Sequence, residues 1–171
     1  MSEAPVPVLH DDSNLHQLAE KLGDLLRAHR HTVCTPESCT GGWISKMITD
    51  IPGCSDWFEC GVAAYSYEAK QALLGVRQET LTAHGAVSRE TVLEMVSGAM
   101  IASGASLAVA VTGIAGPTGG TPEKPVGEVW IGWKRRGRYP IARVFHFDGD
   151  RESVRRQTVA AALLGLMSMA D

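Results

Sequence analysis

Ser106-Leu-Ala-Val-Ala-Val-Thr112 runs directly into Gly113-Ile-Ala-Gly-Pro-Thr-Gly-Gly120. The first of these stretches is near-continuously apolar, without the polar alternation of a strand that has one wet face. Such a run reads as a strand covered on both sides, and strands of that kind belong to α/β domains with helices on either face of the sheet. The Gly/Pro-rich loop that leaves it extends from Gly113 to Pro125. Ligands of open α/β sheets bind beyond the carboxyl ends of the strands, so polar, glycine-bearing segments that follow strands are where chemistry is to be sought.

Upstream of this strand, Ser88-Arg-Glu-Thr91 has the form of an N-cap opening a long helix to Ala102, with Val92, Met95, Val96, Ala99 and Met100 on one face. The methionines there read as core filling. Cys60 to Ser66 reads as a second buried strand, followed by helical stretches over 68–74 and 78–83. Thr32 to Thr35 is a short β-prone run, 40–49 returns to helical character, and Pro52-Gly53 is a break. Asp12-Ser13 offers an N-cap to a first helix, in which Leu15, Leu18, Ala19, Leu22, Leu25 and Leu26 recur at helical spacing. Downstream, Val126 to Trp133 and Tyr139 to Phe147 read as neighbouring strands joined by a basic turn at Arg135-Arg136-Gly137, and Arg151 to Met169 as an amphipathic closing helix. Helices alternating with short apolar strands predict a three-layer α/β/α domain with a mostly parallel sheet, made mixed by the consecutive strands at the end. Residues 1–12 read as a disordered leader and 13–171 as a single domain.

The chain has 171 residues, 44% hydrophobic and 20% charged, as in an ordinary globule able to bury a core without staples. A net charge of -3 gives no electrostatic reason to expect nucleic acid or an anionic membrane as partner. The cysteines at 34, 39, 54 and 60 contain no C-x-x-C pair, so zinc-ribbon and redox spacing are absent. No apolar run reaches membrane-spanning length and no segment resembles a secretory signal, so a cytoplasmic protein with reduced thiols is expected. Nothing in the pattern calls for a metal or a cofactor.

Three segments after predicted strands can carry chemistry: Glu37 to Gly42, Ser66 to Lys70, and Thr112 to Gly120. In the first, Ser38 stands where a strand passes into a helix, close to free backbone N–H groups and the positive helix end. Those features suit an oxyanion or a phosphate, and Ser38 or Thr40 as a plain helix cap is the competing reading. A serine nucleophile needs a base. Lys70, after the second strand, qualifies if partial burial depresses its pKa, and is otherwise an exposed helix lysine. The third segment reads as a backbone cradle for an anion or as a flexible loop. Lys124 and the pair Arg151 and Arg155, one helical turn apart, are the cations placed to meet a phosphate.

Taken together, Thr35-Pro-Glu-Ser-Cys-Thr-Gly-Gly42, Tyr65-Ser-Tyr-Glu-Ala-Lys70, His84-Gly-Ala-Val-Ser88, Thr112-Gly-Ile-Ala-Gly-Pro117 and Pro122-Glu-Lys-Pro-Val-Gly127 resemble the CinA carboxy-terminal domain family, which includes bacterial nicotinamide-nucleotide amidases. The resemblance runs from about Leu15 to the last helix, with five motifs in order. It implies deamidation of nicotinamide mononucleotide to nicotinate mononucleotide and ammonia in pyridine-nucleotide salvage. It also implies Ser38 as nucleophile, Lys70 as base and Tyr65 as a hydroxyl assisting proton transfer. Backbone N–H groups from Cys39 through Thr40 and Gly41 to Gly42 would hold the oxyanion, beside Glu37. Thr112, Gly113, Ile114, Ala115 and Gly116 would line the nucleotide site. Tyr67 stands where the family often has Asn. The resemblance further implies a homo-oligomer, a dimer, of the stand-alone amidase form.

Overall fold

The computed structural model describes residues 11–171. Most of the expected leader lies outside the described residues; only Asp11 and Asp12 fall within them. The elements follow in the order α1 (Ser13–Ala28), β1 (Val33–Glu37), α2 (Trp43–Thr49), a short 3-10 turn (Cys54–Asp56), β2 (Phe58–Ala63), α3 (Tyr67–Leu74), α4 (Gln78–His84), α5 (Arg89–Ser103), β3 (Leu107–Gly113), β4 (Glu128–Arg135), β5 (Ile141–His146) and α6 (Arg151–Ala170).

The five strands lie in the order β2-β1-β3-β4-β5. β1 pairs in parallel with both β2 and β3, whereas β4 runs antiparallel to β3 and β5 antiparallel to β4. Only β4 is therefore reversed, and the sheet is mixed with four strands pointing one way. The run that opened the sequence is β3, with Leu107 to Val111 fully buried at its centre.

Two apolar cores explain that burial. On one face Leu15, Leu22 and Leu26 of α1, Ile44, Met47 and Ile48 of α2, and Val159, Leu163 and Leu166 of α6 pack against Val33, Leu107, Val109 and Val111. On the other, Leu74 of α3, Leu81 of α4, and Val92, Met95 and Val96 of α5 pack against Cys34, Ala108 and Ala110. Alternate residues of one strand feed opposite cores, as the period of two requires. Small Ala108 and Ala110 under α5, against Val109 and Val111 under α6, let α5 sit close to the sheet. The helix pair α3–α5 is closer still: a Cβ at Gly98 would lie 1.7 Å from the carbonyl oxygen of Leu74.

Several boundaries differ from those expected. β1 continues past Thr35 through Pro36 to Glu37 although it is flanked on both sides. Proline is tolerated because the β3 partners step from Cys34 to Glu37 and ask no N–H of position 36. α2 starts at Trp43 and not at Thr40, because Gly41 (φ 61°) and Gly42 (φ 99°) are left-handed and the chain turns before it coils. Asp12 occupies the N-cap position of α1 but makes no side-chain cap; its carboxylate pairs with Arg156 at 3.1 Å. No helix among the described residues is long and apolar enough to cross a membrane.

Candidate active site

The parallel arrangement of β1, β2 and β3 places their carboxyl ends on one sheet edge, and the three polar segments meet there. Ser38 follows β1 directly, and its N–H donates to Val111 O at 3.1 Å, which extends the β1–β3 ladder by one rung. Its side chain is nearly buried, with 8% of the residue exposed. Lys70, on the first turns of α3, has no exposed surface at all. Its Nζ donates to Ser38 Oγ, to Ala64 O and to Tyr65 O, each at 2.9 Å. Serine and lysine, 32 residues apart in sequence, thus form a contact pair.

Burial lowers the Lys70 pKa from 10.5 to about 8, since desolvation disfavours the ammonium. The geometry serves both protonation states. An ammonium has three N–H groups for three acceptors; a neutral amine keeps two on the carbonyls and turns its lone pair to the serine hydroxyl. The competing nucleophile Cys39 is silenced: burial pushes its thiol up to about 12, so it stays protonated.

Glu37 is fully buried. Its Oε2 accepts from Thr40 Oγ1 (2.6 Å), Gly42 N (3.1 Å) and Ile44 N (3.0 Å), and its Oε1 from Ser45 N and Ser45 Oγ (both 2.8 Å). The carboxylate caps the first turn of α2 and takes up the helix-end donors that the sequence offered to an oxyanion. Gly41 N–H is also engaged, by Ser38 O at 3.0 Å. Of the four expected oxyanion donors, Gly41 and Gly42 are therefore spent inside the turn. The N–H of Thr40 has no acceptor among the described residues, and that of Cys39 meets only its own side-chain sulfur. Ser45 is a site residue that the sequence does not single out; its only signal is a small hydroxyl residue in the first turn of α2, beside the apolar Trp43 and Ile44.

The remaining predicted residues divide. Thr112 is the penultimate residue of β3, and its hydroxyl donates to Ala86 O at 2.8 Å, fixing the His84–Ser88 segment. Ile114 N–H goes to Glu128 O (2.9 Å) and its carbonyl accepts from Gly127 N (2.7 Å), so this loop end is a tied extension of the β3–β4 pair, not an open cradle of amides. Gly113 allows close approach, because a Cβ there would meet Val129 Cγ2 at 2.6 Å. Ala115 is buried, and Gly116, with φ 79°, precedes a cis peptide to Pro117. Gly116 O accepts from Arg151 at 2.8 Å.

Tyr65 is 64% exposed and reaches the pair through its backbone carbonyl. Its phenol hydroxyl accepts from Arg151 at 3.3 Å, and neither Ser38 nor Lys70 is bonded to it. The Tyr67 hydroxyl accepts from Ala86 N at 3.3 Å. Lys124 donates to His84 O (2.8 Å) and Val87 O (2.7 Å), clamping the glycine-rich loop to the α4–α5 turn. Arg155 is turned to the nucleophile turn, with Nε on Cys39 O and a terminal nitrogen on Thr40 O, both at 3.0 Å, and its Cζ 5.3 Å from the centroid of the Trp43 ring. A cleft of about 720 Å³, lined by Gly41, Gly42, Trp43, Arg151 and Arg155 among others, opens beside the turn. Ser38 and Lys70 do not line it.

The profile of the CinA C-terminal domain matches residues 15–170. This chain belongs to the CinA C-terminal domain family. The nicotinamide-nucleotide amidohydrolase PncC of Escherichia coli strain K12 is 54% identical over 152 residues, covering 89% of this chain and 92% of that protein. The Pseudomonas putida protein of the same name is 53% identical over 152 residues, covering 89% and 94%. The crystal structure of a competence/damage inducible protein from Agrobacterium tumefaciens superposes with a TM-score of 0.90 at 40% identity, over 100% of both chains. The three-layer architecture is thus shared with solved members of the CinA family.

Proposed function

We propose that this CinA-family protein is a nicotinamide-nucleotide amidase, hydrolysing nicotinamide mononucleotide to nicotinate mononucleotide and ammonia with Ser38 as nucleophile and Lys70 as base. The observation that carries the mechanism is the 2.9 Å contact between Lys70 Nζ and Ser38 Oγ in a buried setting. The substrate rests on the relatives named for that activity, 54% identical across most of the chain.

Neutral Lys70 takes the Ser38 proton as Oγ attacks the carboxamide carbon. The carbonyl oxygen becomes an oxyanion, for which the N–H after the nucleophile, that of Cys39, and the N–H of Thr40 are the available donors; one such donor is worth roughly 3–4 kcal/mol in comparable sites. The lysine, now an ammonium held by Ala64 O and Tyr65 O, returns its proton to the leaving nitrogen. Ammonia departs and leaves an ester on Ser38, and water, deprotonated by the same lysine, hydrolyses it. Tyr65 enters through its carbonyl. Arg151 and Lys124 keep donors beyond those bound to the protein and supply charge for the phosphate. Within the same proposal the protein works in pyridine-nucleotide salvage, in the cytoplasm, as a homodimer that light scattering of the purified protein tests.

Ammonia release from nicotinamide mononucleotide by the purified protein is expected, and Ser38→Ala is expected to abolish it. Full activity in Ser38→Ala would sink the mechanism. Binding of the nucleotide by calorimetry with no turnover would favour a non-catalytic binding module instead.

A further inference from the structure

Arg155 is one of the cations that the sequence offered to a phosphate, yet its two observed bonds are to carbonyl oxygens of the turn that carries the nucleophile. Cys39 O belongs to the same peptide unit as Thr40 N–H. In a planar trans peptide the two point in opposite directions, so a group that holds Cys39 O on one side fixes where Thr40 N–H points on the other. The sides are known. Arg155 belongs to α6, in the layer with α1 and α2, whereas Lys70 belongs to α3, in the layer with α4 and α5. Thr40 N–H is thereby directed away from the Arg155 guanidinium. A guanidinium on the carbonyl also polarises that peptide, which makes its N–H a stronger donor.

A ring contact holds Arg155 in place, and a carboxylate braces the turn from within. The guanidinium packs over the Trp43 ring, whose other cationic neighbour, Arg156, lies 5.1 Å from the ring centroid and bonds to Asp12 and Glu152, not to the turn. Glu37 grips the opposite flank through Thr40 Oγ1 and Gly42 N. The turn is thus gripped by an anion at its amide ends and a cation at its carbonyl ends, while Cys39 and Thr40 N–H are taken up by no other described residue.

We propose that Arg155 is a positioning residue for the oxyanion site: it touches no reacting atom, is not a phosphate ligand, and acts through the Cys39–Thr40 peptide. The proposal rests on the amidase reading. A phosphate ligand contributes to binding of substrate and product alike, whereas an oxyanion-positioning group acts only in the transition state and moves kcat.

The test compares Arg155→Ala, Arg155→Lys and the control Arg156→Ala with the wild type, on nicotinamide mononucleotide and on the phosphate-free riboside. Alongside turnover, the rate of Ser38 labelling by a fluorophosphonate is followed, since its P–O group needs the same donors and no nucleotide. Arg155→Ala is expected to lose on the order of 10- to 100-fold in kcat and in labelling rate, with KM nearly unchanged and the same fold loss on both substrates. Arg155→Lys, which keeps the charge but can meet only one carbonyl squarely, should recover part of the loss and serves if the alanine variant does not fold. Arg156→Ala should keep wild-type kcat. A raised KM at unchanged kcat, with the defect vanishing on the riboside, would make Arg155 a phosphate ligand and overturn the proposal. So would wild-type labelling in both Arg155 variants. Wild-type protein that turns over neither substrate, but whose labelling still falls with Arg155→Ala, would defeat the amidase reading and leave the positioning role standing.

Discussion

Amide hydrolysis at Ser38 should accelerate with pH through a value near 8, because the base must be neutral to accept a proton and burial holds Lys70 at about 8. The size of the effect follows from that number. One pH unit below it about a tenth of the molecules carry the neutral amine, and one unit above about nine tenths do, so kcat/KM should grow about tenfold from pH 7 to pH 9. The sign is fixed by the cause: desolvation penalises the ammonium, and no ion pair offsets it, since all the polar contacts of Nζ are to a hydroxyl and two carbonyls. The substrate phosphate does not imitate this limb, because its second ionisation lies near 6 and is largely complete where the rise begins. Ammonia release at constant ionic strength across pH 6 to 9.5 measures it directly. Lys70→Arg keeps a cation of similar length that does not deprotonate in this range, and should be inactive at every pH. A flat profile from pH 6.5 upward, or a Lys70→Arg protein that retains the wild-type slope, would refute the assignment of Lys70 as base.

Two further outcomes follow from the surroundings of the pair. Glu37→Leu should cost roughly 3 kcal/mol or more, since Gly42, Ile44 and Ser45 N–H lose their acceptor together; urea unfolding reads this, and a loss below about 1 kcal/mol would contradict the bracing role. Gly98→Ala should destabilise by about 1–3 kcal/mol although alanine favours helices, because its Cβ would meet the Leu74 carbonyl oxygen at 1.7 Å and push α3 from α5. A thermal midpoint at or above that of the wild type would show that the two helices separate without cost.

The layers, the strand carried by Ser106 to Thr112 and the three polar segments at strand ends were legible in the sequence, because each depends on local period and burial that a single segment displays. α5 begins at the Ser88 cap as its pattern says, with Ser88 Oγ accepting from Thr91 N at 3.2 Å. Boundaries drifted where conformation depended on a neighbour: the β-prone run reads as Thr32 to Thr35, yet Pro36 and Glu37 are strand residues, since the missing N–H of a proline matters only once the partner strand is in register. Ser38 and Lys70 could be nominated from their segments, but alone each was as easily a cap and a surface lysine.

What the sequence determined by itself was which residues stand at strand ends, and so which side chains could share one edge of a parallel sheet. Only the tertiary structure decided what those side chains do there. It turned Lys70 inward to Ser38, sent the Tyr65 hydroxyl to Arg151, closed Glu37 within the turn and brought Arg155 onto the turn's carbonyls. The physical reason is that hydrogen-bond partners are shared out by competition in space. A donor's chemistry is written in its residue type, but the acceptor it reaches is set by the packing of two layers far apart in the chain.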